Sequence, residues 1–184
     1  MRAGRRIETP LGEEVVAELR IGDRVLISGR LYVARDAAHK RLVEDLLEGR
    51  SPPIDLEGAI IYYMAPTPPK PGQILGAAGP TTSIRMDPYL EPLLRRGLRG
   101  TIGKGYRSGR ARELMRRYRA VYFAAIGGAG AYYSNRIKSS RLVAYEDLGP
   151  EALLEIRVED FPAIVANDIY GGDLFEQAVR RWRR

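Results

Sequence analysis

Five of the twelve prolines fall between Ala65 and Pro80. Proline removes a backbone donor and fixes φ, so no helix or strand runs through such a segment. A structureless span of that length inside a domain is a long ordered loop or a functional one. The regular elements must therefore fall on either side of it. Before it, Arg24–Ala34 alternates and is rich in β-branched residues, which predicts a strand. Asp36 fits an N-cap for a helix over Ala37–Glu48, with Val43, Leu46 and Leu47 as its apolar positions and Gly49 as its stop. Gly58–Met64 reads as a second, buried strand. Beyond the loop, Asp87-Pro88 opens a helix that Gly97 ends, with Pro92 as a source of a late start or kink. Strands are expected at Gly100–Gly103, Val121–Ile126, Leu142–Ala144, Ala152–Arg157 and Ala163–Ala166, and helices at Ser108–Tyr118, Ala129–Ile137 and Asp173–Trp182. Mixed strands and helices without an evident linker indicate one α/β domain over residues 1–184.

The chemistry open to the chain is bounded by what it lacks. It has no cysteine, which excludes disulfides, thiol catalysis and thiolate metal ligation, and His39 is its only histidine. No metal site is therefore assigned to this chain. Met1–Pro10 has charges but no apolar run behind them, and the uncharged stretch Ala120–Asn135 is interrupted by Gly127, Gly128 and Gly130. Neither a signal peptide nor a membrane span is expected, and the location expected is cytoplasmic. The formal charge of +7 equals the seven arginines of the ends, Arg2, Arg5 and Arg6 with Arg180, Arg181, Arg183 and Arg184, read as basic tails over 1–6 and 180–184. One internal stretch stays unbalanced: Arg95–Arg119 carries ten cations against Glu113. Such a field steers an anionic ligand, an acidic partner subunit or a phosphate backbone.

The loop residues Gly76–Asp87 (GAAGPTTSIRMD) combine small side chains, two adjacent hydroxyls at Thr81 and Thr82, and Arg85. Glycines let a ligand approach the backbone, free N–H groups cradle an oxyanion, and a guanidinium forks onto a carboxylate or phosphate. Arg35 ends a strand just before a helix, where α/β folds place ligands. Lys104, in Gly-Lys-Gly after a short strand, has the same character. The common ligand of Arg35, Thr81, Arg85 and Lys104 would carry two or more negative charges. A dicarboxylate fits, and so does a phosphate, although no Walker-type sequence is present. Two weaker motifs have plain explanations. Gly128-Ala-Gly130 follows a strand like a dinucleotide loop, but its third glycine position holds Tyr133, and a tight turn explains it. His39 on the first turn of a helix reads as a surface histidine.

Five stretches in order resemble one family: Ser28–Leu42 (SGRLYVARDAAHKRL), Ile61–Pro71 (IYYMAPTPPKP), Gly79–Asp87 (GPTTSIRMD), Gly100–Gly105 (GTIGKG) and Glu146–Ala152 (EDLGPEA). The resemblance is to the β subunit of two-subunit class I fumarate hydratases, to the related tartrate dehydratase β subunits, and to the C-terminal domain of single-chain class I fumarases. It runs from about Ile7 to Asp173. It implies a swivelling β/β/α domain, a mixed sheet with flanking helices, docked on an α subunit whose cysteines hold a 4Fe-4S cluster. By motif, it places Arg35, Thr81, Arg85 and Lys104 on a dicarboxylate such as fumarate or malate. Thr81 is given proton transfer, and Asp36, His39, Gly79 and Thr82 lie around the contacts. It further implies hydration of fumarate to malate, with tartrate dehydration as the nearest alternative, and self-association of the αβ unit. Ala131–Ser134 (AYYS) departs from the small aliphatic residues expected there. A basic nucleic-acid-binding module is the alternative from another class. It is supported by Arg95–Arg119 and the arginine-rich ends and opposed by the absence of any RRM, KH or helix-turn-helix pattern, so no nucleic-acid partner is expected.

Overall fold

A computed structural model of the chain describes residues 4–183. Among these residues, seven strands form one sheet in the order β1 (Arg5–Glu8), β2 (Arg24–Val33), β3 (Ile60–Tyr62), β4 (Gly100–Gly103), β5 (Val121–Ala124), β7 (Leu153–Asn167), β6 (Ile137–Ala144). The first five run parallel, and β7 runs antiparallel to both β5 and β6. A further antiparallel ladder joins β7 to β2, so the sheet closes on itself. The helices are α1 (Glu13–Glu18), α2 (Asp36–Leu47), α3 (Leu90–Arg95), α4 (Gly109–Arg117), α5 (Gly130–Ser134) and α6 (Leu174–Trp182). The architecture is a mixed α/β fold with flanking helices.

Period-two alternation sorts the strand residues into two cores. Val25, Ile27, Leu31 and Val33 of β2, Tyr62 of β3, Ile102 of β4 and Phe123 of β5 meet Phe161 and Val165 of β7 within the closed sheet. Tyr32, Ile61 and Tyr122 point the other way, onto Leu42 and Leu46 of α2, Leu93 and Leu94 of α3, and Leu114 and Met115 of α4. Strands β3 and β4 are buried on both faces, as short parallel strands covered by helices are.

Three expectations about elements are revised. The two strands predicted at Ala152–Arg157 and Ala163–Ala166 are one, β7. Glu159-Asp160-Phe161-Pro162 reads as a turn, but it is a bulge opposite Ile27–Gly29, with Asp160 at φ 48° and Pro162 opposite Leu26. Arg5 and Arg6 are not a free tail: they belong to β1, paired with Glu18 and Asp160. Arg180 likewise lies in α6 beside Glu176, whereas Arg2 and Arg184 fall outside the described residues. Asp87 does not start a helix. It sits inside a 3-10 segment, Ser83–Tyr89, that precedes α3.

Candidate functional site

The parallel strands β2, β3 and β4 end side by side, and the backbone ladder continues past them through Ala34 N–H to Tyr62 O and Tyr63 N–H to Ile102 O. Arg35 follows β2, Tyr63 follows β3 and Lys104 follows β4. The extended backbone at Thr81 and Thr82 enters between the last two. Thr81 N–H donates to Tyr63 O at 2.6 Å, Lys104 N–H to Thr81 O at 3.0 Å, and Ser83 N–H to Lys104 O at 2.9 Å. Thr81 and Lys104 are thus held together by main chain, independently of their side chains. Gly103 is required here, because a Cβ on it would overlap Ser83 Oγ.

Arg85 lies one turn further on, and its guanidinium reaches Asp36 through Nε at 3.0 Å and Nη2 at 2.8 Å. Asp36 is 4.0 Å from Arg35 Nε, and Glu151 stands 3.5 Å from Arg35 Nη2. Arg35 Nε is buried without a hydrogen-bond partner among the described residues. The four predicted contacts therefore share the C-terminal edge of the parallel strands, with Arg35 and Arg85 linked through Asp36. The surface is open: Thr82, Arg85 and Lys104 are exposed, while Arg35, Asp36 and Thr81 are half-buried. Lys104 has no ion-pair partner among the described residues, and a Cβ on Gly127 would lie 3.5 Å from its Cδ. Gly79 packs against Gly130, whose carbonyl accepts from Ala78 N–H. A Cβ on Gly130 would come within 3.0 Å of Gly79 N. That close approach accounts for the Gly128-Ala-Gly130 turn.

Two site residues have different roles from those expected. Asp36 is not the N-cap of α2: Arg35 occupies that position, and Asp36 is the first helical residue, turned to Arg85. The free helix donor Ala37 N–H is taken by Glu151, 3.1 Å away. An acid at this end also complements the helix dipole. His39 is not on the surface; it is 1% exposed. It begins the stripe His39, Leu42, Val43, Leu46 that α2 turns to the core, four residues before Val43, which is the signal that marks it as inward. Its Nδ1 lies 2.8 Å from Arg35 O, and its ring meets Tyr63 edge-on. Burial pushes the imidazole down to about 4, opposed by the Arg35 carbonyl and reinforced by Arg107. His39 is therefore neutral, with Nδ1–H donating.

Sequence reasoning missed the polar layer underneath. Arg107, with a fully buried side chain, pairs with Asp87 at 2.5 Å and donates to Thr101 Oγ1 at 3.0 Å. Asp87 also accepts Ser108 N–H at 2.8 Å. Ser83 Oγ donates to Tyr122 Oη at 3.0 Å, and Tyr122 Oη to Gly105 O at 2.7 Å. These bonds tie the segment bearing Thr81 and Arg85 to the loop bearing Lys104. In sequence Arg107 is one of ten cations in a basic stretch, with nothing to single it out. That stretch is less bare than its composition suggests: Arg95, Arg99, Arg107, Arg110 and Arg112 all have acidic partners.

Residues 5–178 match the family described as fumarase C-terminus. The chain belongs to that family. Among its relatives, the aerobic class I fumarate hydratase of Escherichia coli is 36% identical over 172 residues, covering 90% of this chain and 31% of that protein. Fumarate hydratase 2 of Leishmania major is 35% identical over 161 residues, covering 86% of this chain and 28% of that protein. A protein of Methanocaldococcus jannaschii, assigned as an L(+)-tartrate dehydratase β subunit, is 35% identical over 180 residues, 93% of this chain and 91% of its own length. The chain spans about a third of the length of the fumarate hydratases it matches.

Proposed function

We propose that the chain is the β subunit of a class I hydro-lyase that adds water reversibly across the double bond of fumarate to give malate. On this reading residues 1–184 form one swivelling β/β/α domain that contributes the dicarboxylate-binding half of the site in the cytoplasm. The observation that carries the reading is the open cationic edge: Arg35, Arg85 and Lys104 converge with Thr81 at the ends of β2–β4. In the reaction a proton leaves carbon next to a carboxylate, so negative charge builds on that carboxylate. Stabilising it is the largest requirement. Arg35, Arg85 and Lys104 supply cations for it, and the arginines add two-pronged orientation. Asp36 holds the two guanidinium groups in register until the ligand competes for them. Thr81 is the proton-transfer residue at the substrate carbon, and Thr82 and Gly79 shape the loop around it.

This chain does not fit an iron–sulfur cluster. It has no cysteine, and no group of three or more metal-binding side chains exists among the described residues. We assign a 4Fe-4S cluster to a cysteine-containing α subunit that also closes the open face and excludes water. Self-association of the αβ unit completes the assembly, with no nucleic-acid or membrane partner. A second reading, tartrate dehydratase β subunit, is favoured by the relative whose whole length this chain nearly matches. The test is anaerobic assay of fumarate and L(+)-tartrate turnover with and without a co-expressed α subunit. Turnover of one of them by the pair and neither by this chain alone is expected. Activity of this chain alone, free of iron, refutes the assignment.

A further inference from the structure

An apolar groove of about 590 Å³ lies between the starts of β1 and β2, the end of β5, the middle of β7 and α5. Its walls include Leu26, Ile126, Tyr132, Pro162 and Ile164, and no acidic residue lines it among the described residues. Ile126 is 64% exposed and Tyr132 is 49% exposed, large apolar surface for a side chain to leave in water. Tyr132 belongs to the run AYYS, which puts two aromatic rings side by side in α5. The groove is also rigid. Ile126 N–H donates to Tyr133 Oη at 2.7 Å, and the Tyr133 ring stacks on Phe161 with centroids 4.7 Å apart.

Two placements say what covers it. The loop that carries Ile126 continues into Gly127, where an added Cβ would lie 3.5 Å from Lys104 Cδ, so whatever closes over Lys104 meets this loop as well. Gly4, immediately before β1, forms part of the groove's rim, and the match to the C-terminal part of fumarases begins at residue 5. The fumarate hydratases that the chain matches are about three times as long, so residues preceding the match in such a chain would enter the domain at this rim. We infer that the groove is the docking site for an apolar segment of the cysteine-containing α subunit, at the end of that subunit that corresponds to the entry into β1. Ile126 and Tyr132 are its anchors, and Arg24, the one charged residue lining the groove among the described residues, favours an acidic flank on the segment. The inference rests on the proposed β-subunit reading.

The experiment uses the full chain and the α subunit of a two-subunit class I fumarate hydratase from the same genome. Association is measured by sedimentation for wild type, Ile126→Asp and Tyr132→Ser, with circular dichroism and melting as the check on folding. Neither residue is buried, so both variants are expected to fold as wild type. The expected result is a wild-type complex, at least a tenfold weaker one for each variant, and amide protection over 126–133 when the wild type binds. Wild-type affinity in both variants, or no protection over 126–133, overturns the groove assignment and leaves the β-subunit reading intact. Failure of the wild type to bind any α subunit overturns both. Concentration-dependent self-association abolished by the same substitutions assigns the groove to a second copy and also overturns the inference.

Discussion

Replacing Asp87 with asparagine tests whether the buried layer sets the site. The substitution keeps the shape and the acceptor for Ser108 N–H but removes the charge opposite Arg107, whose guanidinium is inaccessible to solvent. Breaking a buried pair from one side leaves an uncompensated charge, at a cost of about 3–5 kcal/mol. For a chain of this size that lowers the melting temperature by roughly 10 °C. Removing both charges, as Asp87→Asn with Arg107→Met, eliminates the stranded cation, so the double variant should recover about half of the loss or more. Chemical denaturation reads the free energies from the shift in midpoint at constant slope. Amide exchange reads the location, with faster exchange at Thr81, Ser83 and Lys104, whose amides join the inserted segment to its neighbours. A cost below about 1 kcal/mol, or a double variant no more stable than the single one, refutes the view that this pair holds the two loops together.

Arg85→Lys in an assembled, active enzyme should lower kcat/KM at least tenfold, because lysine keeps the charge but loses the fork that meets a carboxylate. Its pair with Asp36 is half exposed, so stability should change by less than about 1 kcal/mol; unchanged kinetics removes Arg85 from the site. Lowering the pH from about 6.5 to about 4 should destabilise the chain through His39. Between those values the unfolded chain holds a proton there that the folded chain excludes, so stability falls as pH falls, by up to about 3 kcal/mol below the window. His39→Phe should flatten that slope in denaturant titrations, and an identical slope in the variant refutes the assignment.

The shared edge of the candidate residues was legible because loop cations after strands report their own position. Arg35 and Lys104 are where a strand–helix or strand–loop junction puts them, and Thr81 and Arg85 follow from a glycine-flanked hydroxyl loop. What stayed hidden depends on partners distant in sequence. Nothing near Asp36 announces that Glu151 will serve α2 as its acceptor, which freed Asp36 for Arg85. His39 looked exposed because its polarity was weighed above its place on the apolar stripe. The continuity of β7 was masked because Asp160 and Pro162 signal a turn locally, whereas the ladder to β2 on either side of them holds them as a bulge. Arg107 is the extreme case: burial alone distinguishes it from its neighbours, and burial is a property of the assembled fold.

The hydrogen bond from Thr81 to Tyr63 also decides which part of the chain is free to vary. The proline-rich excursion leaves the sheet after Tyr63 and returns at Thr81, so both of its ends are pinned at one point. Its length then has little leverage on the residues it connects, since doubling such a loop costs only about 0.6 kcal/mol in closure entropy. Its exposed tip, residues 68–74, can lengthen or shorten while Thr81, Arg85 and Lys104 keep their places, whereas Met64 and Ala78 pack into the core and Gly79 against Gly130. The fold thus sets a main-chain-pinned chemical edge beside an exposed loop tip, and changes in the tip can alter access to the edge without rebuilding it.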